Sequence, residues 1–316
     1  MPDMLSYRSV FVTGAGGFVG RYLLPALREQ LTPDARLVAP GRAADADVVL
    51  DLNDTAAVAR LIDDLRPDLI VHLAAQSSVG ASAGGAAETW RTNVAGTLNL
   101  AQAVATSVPT ATVAFASSSE VYGAAFNAGP ADEGTLPLPM SPYARTKRTG
   151  EELLADVLAP TNRLIVFRPG NHSGAGQDTR FVLPAFADQI AGIEAGKIPP
   201  VVKVGSLTAM RDFLDVRDVV DAYCAVLRQE TSTLRETFNI GSGDVQPIGN
   251  LLDMLLAMAR VPIRVEQDPA RLRASDVPSA RIDATKLREC ISWRPRHELR
   301  DTVVMVLDDC RRRYRG

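Results

Sequence analysis

Apolar residues in the first half of the chain fall into six short runs, at 9–13, 36–39, 48–50, 69–75, 113–117 and 163–168. Runs this short and continuous read as strands buried on both faces of a parallel sheet. Between them the period changes. Tyr22, Leu23, Leu24, Leu27 and Leu31, then Val58, Leu61, Ile62 and Leu65, recur at helical spacing, and residues 87–105 continue a long helical pattern. Strands alternating with helices predict a doubly wound parallel sheet with right-handed crossovers. Pro25 inside the first helix predicts a slight kink.

After Pro169 the pattern shifts. A polar, glycine-rich loop at 171–177 precedes a helical stretch at 181–193. Short strands at 201–204, 238–241 and 263–266 then mix with helices at 218–228 and 248–260 and with a basic loop at 271–278. The expected division is a first α/β unit at 1–170, with 212–241 returning to it, and a smaller C-terminal α/β unit made of 171–211 and 242–316, which would hold the substrate. Residues 124–141, rich in Gly and Pro, are expected to form a loop over the site.

Composition narrows the function classes. A net charge of −3 argues against a general nucleic-acid binder. Cys224, Cys290 and Cys310 are widely spaced and odd in number, which fits a reducing cytoplasm without a disulfide scaffold or zinc site. His72, His172 and His297 are too scattered for a metal cluster. No apolar run reaches membrane-spanning length and no signal peptide opens the chain, so no membrane partner is expected. Arg311-Arg312-Arg313 reads as a solvated helix end favoured by the helix dipole.

Gly14-Ala15-Gly16-Gly17-Phe18-Val19-Gly20 lies between the first strand and the first helix. In that context glycines allow a tight turn and close approach of a pyrophosphate, which the free N–H groups of the helix N-terminus then bind. The first unit is therefore expected to be a Rossmann-type dinucleotide-binding fold, with Gly14, Gly17, Phe18 and Val19 at the cofactor. The second strand ends in Pro40-Gly41-Arg42 without the carboxylate that holds a ribose 2′-hydroxyl in NAD enzymes. Arg42 can pair with a 2′-phosphate instead, which favours NADP(H), with NAD(H) the alternative. Asp51, followed by Leu52, either accepts from the adenine amino group or caps the next helix. Leu73, Ala74 and Ala75 end a buried strand, and the two small residues leave room for a flat cofactor. Gln76, Ser77 and Ser78 add polar groups at the carboxyl edge of the sheet, where ligands of α/β folds bind. His72, inside that strand, reads as a hydrogen-bonded core residue. Asn93 sits within the long helix, where asparagine is usually exposed; it is the remaining candidate cofactor contact.

The strand ending at Ser117 runs into Ser118-Ser119-Glu120, and Tyr143 and Lys147 share a helix face four residues apart. A free phenol with a pKa of about 10 shuttles protons poorly at neutral pH. An ammonium at about 4 Å supplies on the order of 4 kcal/mol at intermediate dielectric, enough to bring it toward 7. Lys147 is thus expected to acidify Tyr143 for acid–base work, with Ser118 binding the substrate oxygen. Arg211 and Arg273 are candidate diphosphate or ribose contacts.

These motifs together resemble the extended short-chain dehydrogenases/reductases that act on nucleotide sugars, over essentially the whole chain. The stretches 72–79, Asn171-His172 with Gly176-Gln177, Arg211 to Asp218, and 268–278 are most similar to the GDP-mannose branch of that family. The resemblance implies a catalytic set of Ser118, Tyr143 and Lys147, with Lys147 also holding the nicotinamide ribose. It implies that Ser78, Ser118, Ser119, Glu120, Asn171, Arg211, Arg273 and Asp276 face a GDP-sugar. The implied reaction is reduction of the 4-keto group of GDP-4-keto-6-deoxy-D-mannose to GDP-D-rhamnose. Two active alternatives are 4,6-dehydration of GDP-mannose, in which a glutamate placed like Glu120 removes the C5 proton, and 4-epimerisation; a third is a non-catalytic NADP sensor. The Gly-Phe-Val of the glycine turn favours the reductase, since the dehydratases usually have Gly-Gln-Asp. Gly170 and Ala175 depart from the aromatic residue and the proline usual there. A homodimer paired through the two long helices flanking the site is also implied.

Overall fold

In the computed structural model, which describes residues 4–41, 48–76, 85–229, 231–272 and 277–315, five of the six apolar runs form neighbouring strands. The first half runs β1 (Ser9–Thr13), α1 (Phe18–Gln30), β2 (Arg36–Val38), α2 (Thr55–Leu65), β3 (Leu69–His72), α3 (Ala86–Trp90), α4 (Gly96–Ser107), β4 (Thr112–Ala116), α5 (Pro142–Val157) and β5 (Arg163–Pro169). The second half runs β6 (Asn171–Ser173), α6 (Val182–Glu194), β7 (Val201–Val204), β8 (Met210–Asp215), α7 (Val216–Leu227), β9 (Arg235–Ile240), β10 (Val245–Pro247), α8 (Ile248–Ala257), β11 (Arg264–Gln267), β12 (Ser279–Ala280), α9 (Thr285–Ile291) and α10 (Leu299–Arg313).

The main sheet has the order β2-β1-β3-β4-β5-β9, with every pair parallel. The run at 48–50 is not a strand. It touches the preceding segment at a single bridge, Gly41 to Val49, and the Val49 side chain is exposed. Three residues with an apolar side chain in solvent gain too little burial to extend a ladder. The sixth place is filled from later in the chain by β9. Helices cover both faces. Leu23 and Leu27 of α1 pack with Val219, Tyr223 and Val226 of α7 on one side. Val58 and Ile62 of α2, Leu100 and Val104 of α4, and Leu154 of α5 pack on the other. Helix α1 runs unbroken across Pro25.

The strand order reverses between β1 and β3, which opens a crevice at their carboxyl ends. Facing that crevice, β8 centres a second sheet, pairing parallel with β6 and β12 and antiparallel with β10. A separate parallel pair joins β7 and β11. A third core holds this half together, with Phe186 and Ile190 of α6, Leu251 and Leu255 of α8, and Val303 and Val306 of α10. Arg311 is not a solvated helix end. It donates to both oxygens of Glu194, at 2.8 Å each, and to the Met258 carbonyl at 2.8 Å. The buried Glu194 carboxylate at the end of α6 needs a partner, and the packing of α10 on α6 brings that guanidinium to it.

Candidate functional site

The glycine turn is built for close approach. Gly14 has φ +71°, and a Cβ there would lie 2.6 Å from the Ala74 amide nitrogen, so the turn nests directly on the end of β3. Gly17 donates to the Gly14 carbonyl at 2.9 Å and begins α1, and no side chain caps the helix. The first amides of α1 therefore point into the crevice as an anion cradle. Thr13 closes the turn from below: its Oγ1 accepts from the Ala74 amide at 3.2 Å and meets His72 Nδ1 at 2.7 Å. The other ring nitrogen of His72 meets Thr97 Oγ1 at 2.9 Å. Burial holds this imidazole neutral, with a pKa of about 3, so His72 is a packed core residue.

Above the cradle lies one continuous cleft of about 1410 Å³, more than the range of about 300–1,000 Å³ typical of single small-molecule sites. Gly14, Gly17, Phe18 and Val19 line it, as do Asp51 and Leu52, and Leu73, Ala74 and Ala75. Asp51 Oδ1 accepts from the Asn53 amide at 2.9 Å, and the cap of α2 is Asp54. The shape and the uncapped amides fit a dinucleotide laid across the switch point. Arg42, Ser78, Arg273 and Asp276 lie outside the described residues.

The hydroxyl cluster and the tyrosine meet in the same cleft. Strand β4 ends at Ala116, and Ser118 caps the short turn at 119–121 by accepting from the Glu120 amide at 3.2 Å. Ser141 caps α5 by accepting from the Ala144 amide at 3.1 Å, and Pro142 occupies the first turn. These caps start α5 so that Tyr143 faces the cleft beside Ser118 and Glu120. The expected acidification of Tyr143 by Lys147 is not what the free protein shows. Burial pushes the phenol well above its ordinary value; the Ser118 hydrogen bond opposes this, and the Glu120 charge adds to it. Lys147 is turned to the strand end, donating to the Ala116 carbonyl at 2.5 Å with its Nζ 4.8 Å from the centroid of the Phe115 ring. Burial lowers its ammonium to about 7, with Glu151 acting in the opposite direction.

Asn93 is buried rather than exposed. A turn of π-helix at Arg91–Ala95 separates α3 from α4, and such a turn swings a side chain out of the ordinary register. Asn93 Oδ1 accepts from the Gln76 amide at 2.8 Å, and its Nδ2 donates to Thr146 Oγ1 at 2.9 Å. It thus joins the end of β3 to the helix carrying Tyr143 and Lys147.

Across the cleft, Asn171 and Arg211 line the wall with Glu120. Ser119 lies at a side pocket of about 30 Å³ that opens beside the same residues. Arg211 donates to the Met210 and Val277 carbonyls at 2.8 and 2.9 Å, which fixes its guanidinium at the rim. Gly170 makes room for Ile282, whose Cδ1 would lie 2.6 Å from a Cβ there; the missing aromatic ring is replaced by packing from the C-terminal half. Phe18 of the glycine turn stacks on His172 with centroids 6.1 Å apart, joining the two walls. Sequence reasoning missed Thr13, Glu151 and Arg168. Of these only Glu151 left a trace in the spacing, four residues after Lys147. Among the described residues no cluster of three or more His, Cys, Asp or Glu could hold a metal ion.

Comparison with known proteins agrees with this geometry. The model of the NAD dependent epimerase/dehydratase family matches residues 10–241. Over 308 residues the chain is 35% identical to GDP-6-deoxy-D-mannose reductase of Pseudomonas aeruginosa, covering 97% of this chain and 98% of that one. The structure of RMD from Pseudomonas aeruginosa complexed with NADPH matches with a TM-score of 0.83 at 33% identity, over 96% of this chain and 99% of that one. MoeE5 in complex with UDP-glucuronic acid and NAD matches with a TM-score of 0.81 at 26% identity, over 96% and 99% of the two chains. A glycine cradle at the switch point, a tyrosine facing it, and a family match spanning both place the chain in the NAD dependent epimerase/dehydratase family, among the extended short-chain dehydrogenases/reductases.

Proposed function

We propose that this chain is an NADPH-dependent reductase that converts the 4-keto group of GDP-4-keto-6-deoxy-D-mannose to the hydroxyl of GDP-D-rhamnose. The observation that carries the reading is end-to-end similarity to a GDP-6-deoxy-D-mannose reductase, in a chain whose Tyr143 and Ser118 face a cleft large enough for cofactor and substrate together. NADPH favoured over NADH follows from the neighbour solved with NADPH and from the Pro40-Gly41-Arg42 strand end.

When bound, the dinucleotide supplies the hydride. Gly14, Gly17, Phe18 and Val19 would hold its pyrophosphate and Asp51 and Leu52 its adenosine end, while Leu73 to Ala75, lining the cleft with small side chains, would leave room for it. Ser118 donates to the substrate O4, and Tyr143 gives O4 its phenolic proton as the carbonyl carbon becomes tetrahedral. The raised Tyr143 pKa suits this direction, because a general acid must be protonated before it acts. The Lys147 ammonium then stabilises the phenolate left behind, so its charge matters after proton transfer rather than before it. Asn93 holds α5 against β3, keeping Tyr143 and Lys147 at the cofactor. Asn171, Arg211 and Ser119, with Ser78, Arg273 and Asp276, bind the GDP-sugar, and Arg211 supplies fixed positive charge for the diphosphate.

Glu120 favours a second reading, GDP-mannose 4,6-dehydration, because its carboxylate lines the cleft beside Tyr143. One assay separates the two. With GDP-4-keto-6-deoxy-mannose, NADPH oxidation is expected; with GDP-mannose and no added NADPH, a 4-keto product would overturn the reductase. Tyr143→Phe is expected to lower kcat by about 10²–10⁴-fold with NADPH binding retained, and unchanged turnover would remove the mechanism.

The working unit is proposed to be a homodimer paired through α4 and α5, which flank the site. Sedimentation should give twice the chain mass of 33.8 kDa. Each protomer divides at the cleft into a cofactor lobe and a substrate lobe. The proposed compartment is the cytoplasm: all three cysteines are free, and no described helix is long and apolar enough to cross a membrane.

A further inference from the structure

Behind the cleft wall, meeting the cleft at Ser117, lies a buried ionic cluster that the reaction above does not use. Its centre is the carboxylate of Glu151, one helical turn beyond Lys147 on the same face of α5. Arg168 of β5 grips both oxygens, at 2.9 and 2.6 Å, and Arg148 adds a contact at 3.1 Å. Ser117 donates to the carboxylate at 2.5 Å. The far side of Arg168 donates to Tyr122 Oη at 3.0 Å, and Tyr122 donates to Asn239 at 2.7 Å. Glu151 and Arg168 are each about 5% exposed at the side chain, a burial that raises the cost of any imperfection in their pairing.

The position of Ser117 explains the arrangement. It stands between Ala116, whose carbonyl receives Lys147, and Ser118, whose hydroxyl engages Tyr143. Clamping Ser117 from behind fixes both neighbours. The groups acting on the Lys147 ammonium are the Phe115 ring and Ala116 carbonyl of β4, His72 of β3 and Glu151 of its own helix, with Arg168 of β5 behind Glu151; Tyr143 lies one turn earlier on the same helix face. His72 is neutral and Tyr143 is protonated. Glu151 is thus the anion of this set. Among the described residues no carboxylate forms an ion pair with Lys147 directly, so the effect acts through space in a low-dielectric interior, where one turn of helix is a short distance.

We propose that Glu151 is the positioning residue of the Tyr143–Lys147 pair: clamped by Arg168, it pins the end of β4 through Ser117 and sets a buried negative charge one helical turn from the ammonium. The inference rests on reading Tyr143 and Lys147 as the proton-delivering pair. Lys147→Met with intact turnover would remove that reading, whereas the experiment below removes only the role of Glu151.

The chain has four lysines, Lys147, Lys197, Lys203 and Lys286, so ε-carbon NMR of [¹³C]lysine-labelled protein resolves Lys147 without substrate or cofactor, and Lys147→Met assigns the signal. Glu151→Gln removes the negative charge and keeps an amide oxygen for Ser117 and Arg168. In it the Lys147 titration midpoint is expected to fall by about one pH unit, a tenfold change in its protonation equilibrium. The limb of the kcat profile that falls as pH rises should move by the same amount. An unmoved midpoint, or a uniform loss of kcat at every pH, overturns the proposal. Should Glu151→Gln fail to fold, Glu151→Asp and Glu151→Asn share a shape and differ in charge. A lower midpoint with Asn than with Asp supports the proposal, and equal midpoints overturn it.

Discussion

His72 illustrates how a single side chain can set the acid limit of the fold. Its imidazole is sealed under the glycine turn, meets two threonine hydroxyls, and titrates at about 3 instead of 6.5. The unfolded chain binds this proton first, so the stability His72 contributes is complete above about pH 6.5 and is lost as pH falls toward 3. Between pH 6.5 and 4.5 the loss is about 2 kcal/mol. Urea unfolding measured across that range should show the slope, and His72→Asn should flatten it. Equal slopes in the two proteins would mean that other groups govern acid unfolding. Tyr143 shows the complementary lesson. Its chemistry was read from a phenol and an ammonium on one helix face, but burial dominates the phenol of the free protein. The sequence spacing identified the partners and left open the balance between desolvation and charge, which depends on how deeply each group is buried.

At the scale of elements, the βα turn at 14–17 has the tightest tolerance. Gly14 combines φ +71° with a backbone contact that any Cβ would violate. Gly14→Ala is therefore expected to destabilise the protein by more than about 1 kcal/mol and to weaken NADPH binding at least tenfold, read by nicotinamide fluorescence. Undiminished affinity would show that the turn does not approach the cofactor. The glycines were legible in the sequence because no other residue fits such a turn. The π turn around Asn93 was not legible. A one-residue widening of a helix carries no composition signal, and helical period alone puts Asn93 on the wrong face. The run at 48–50 failed for a related reason: apolar runs of three residues do not distinguish a strand from a loop with one exposed valine.

At the scale of the whole molecule, the cleft exists because two cores meet across it, and the C-terminal core is fastened by α10. Arg311 and Glu194 are 11% and 7% exposed at the side chain. Arg311→Ala leaves a buried carboxylate without its main partner and is expected to cost about 3 kcal/mol, visible as a lower thermal midpoint. A change within the noise of the measurement would return Arg311 to the surface role its sequence suggests. The Phe18–His172 stack, which joins segments more than a hundred residues apart, belongs to this scale too, as does the Arg211 contact with Val277, which ties β8 to the segment before β12.

The alternation of apolar runs, the glycine turn and the Tyr143–Lys147 spacing were local patterns, and local patterns determine local structure. They sufficed for a parallel α/β sheet, for the strand–turn–helix that receives a dinucleotide, and for the tyrosine beside it. Which strand takes the sixth place, where Arg311 goes, and how Arg168 of β5 comes to clamp Glu151 on the helix that carries Tyr143 were decided only by tertiary structure. Burial and pairing of charges depend on segments that approach through space, and no window of sequence contains both sides of such a contact.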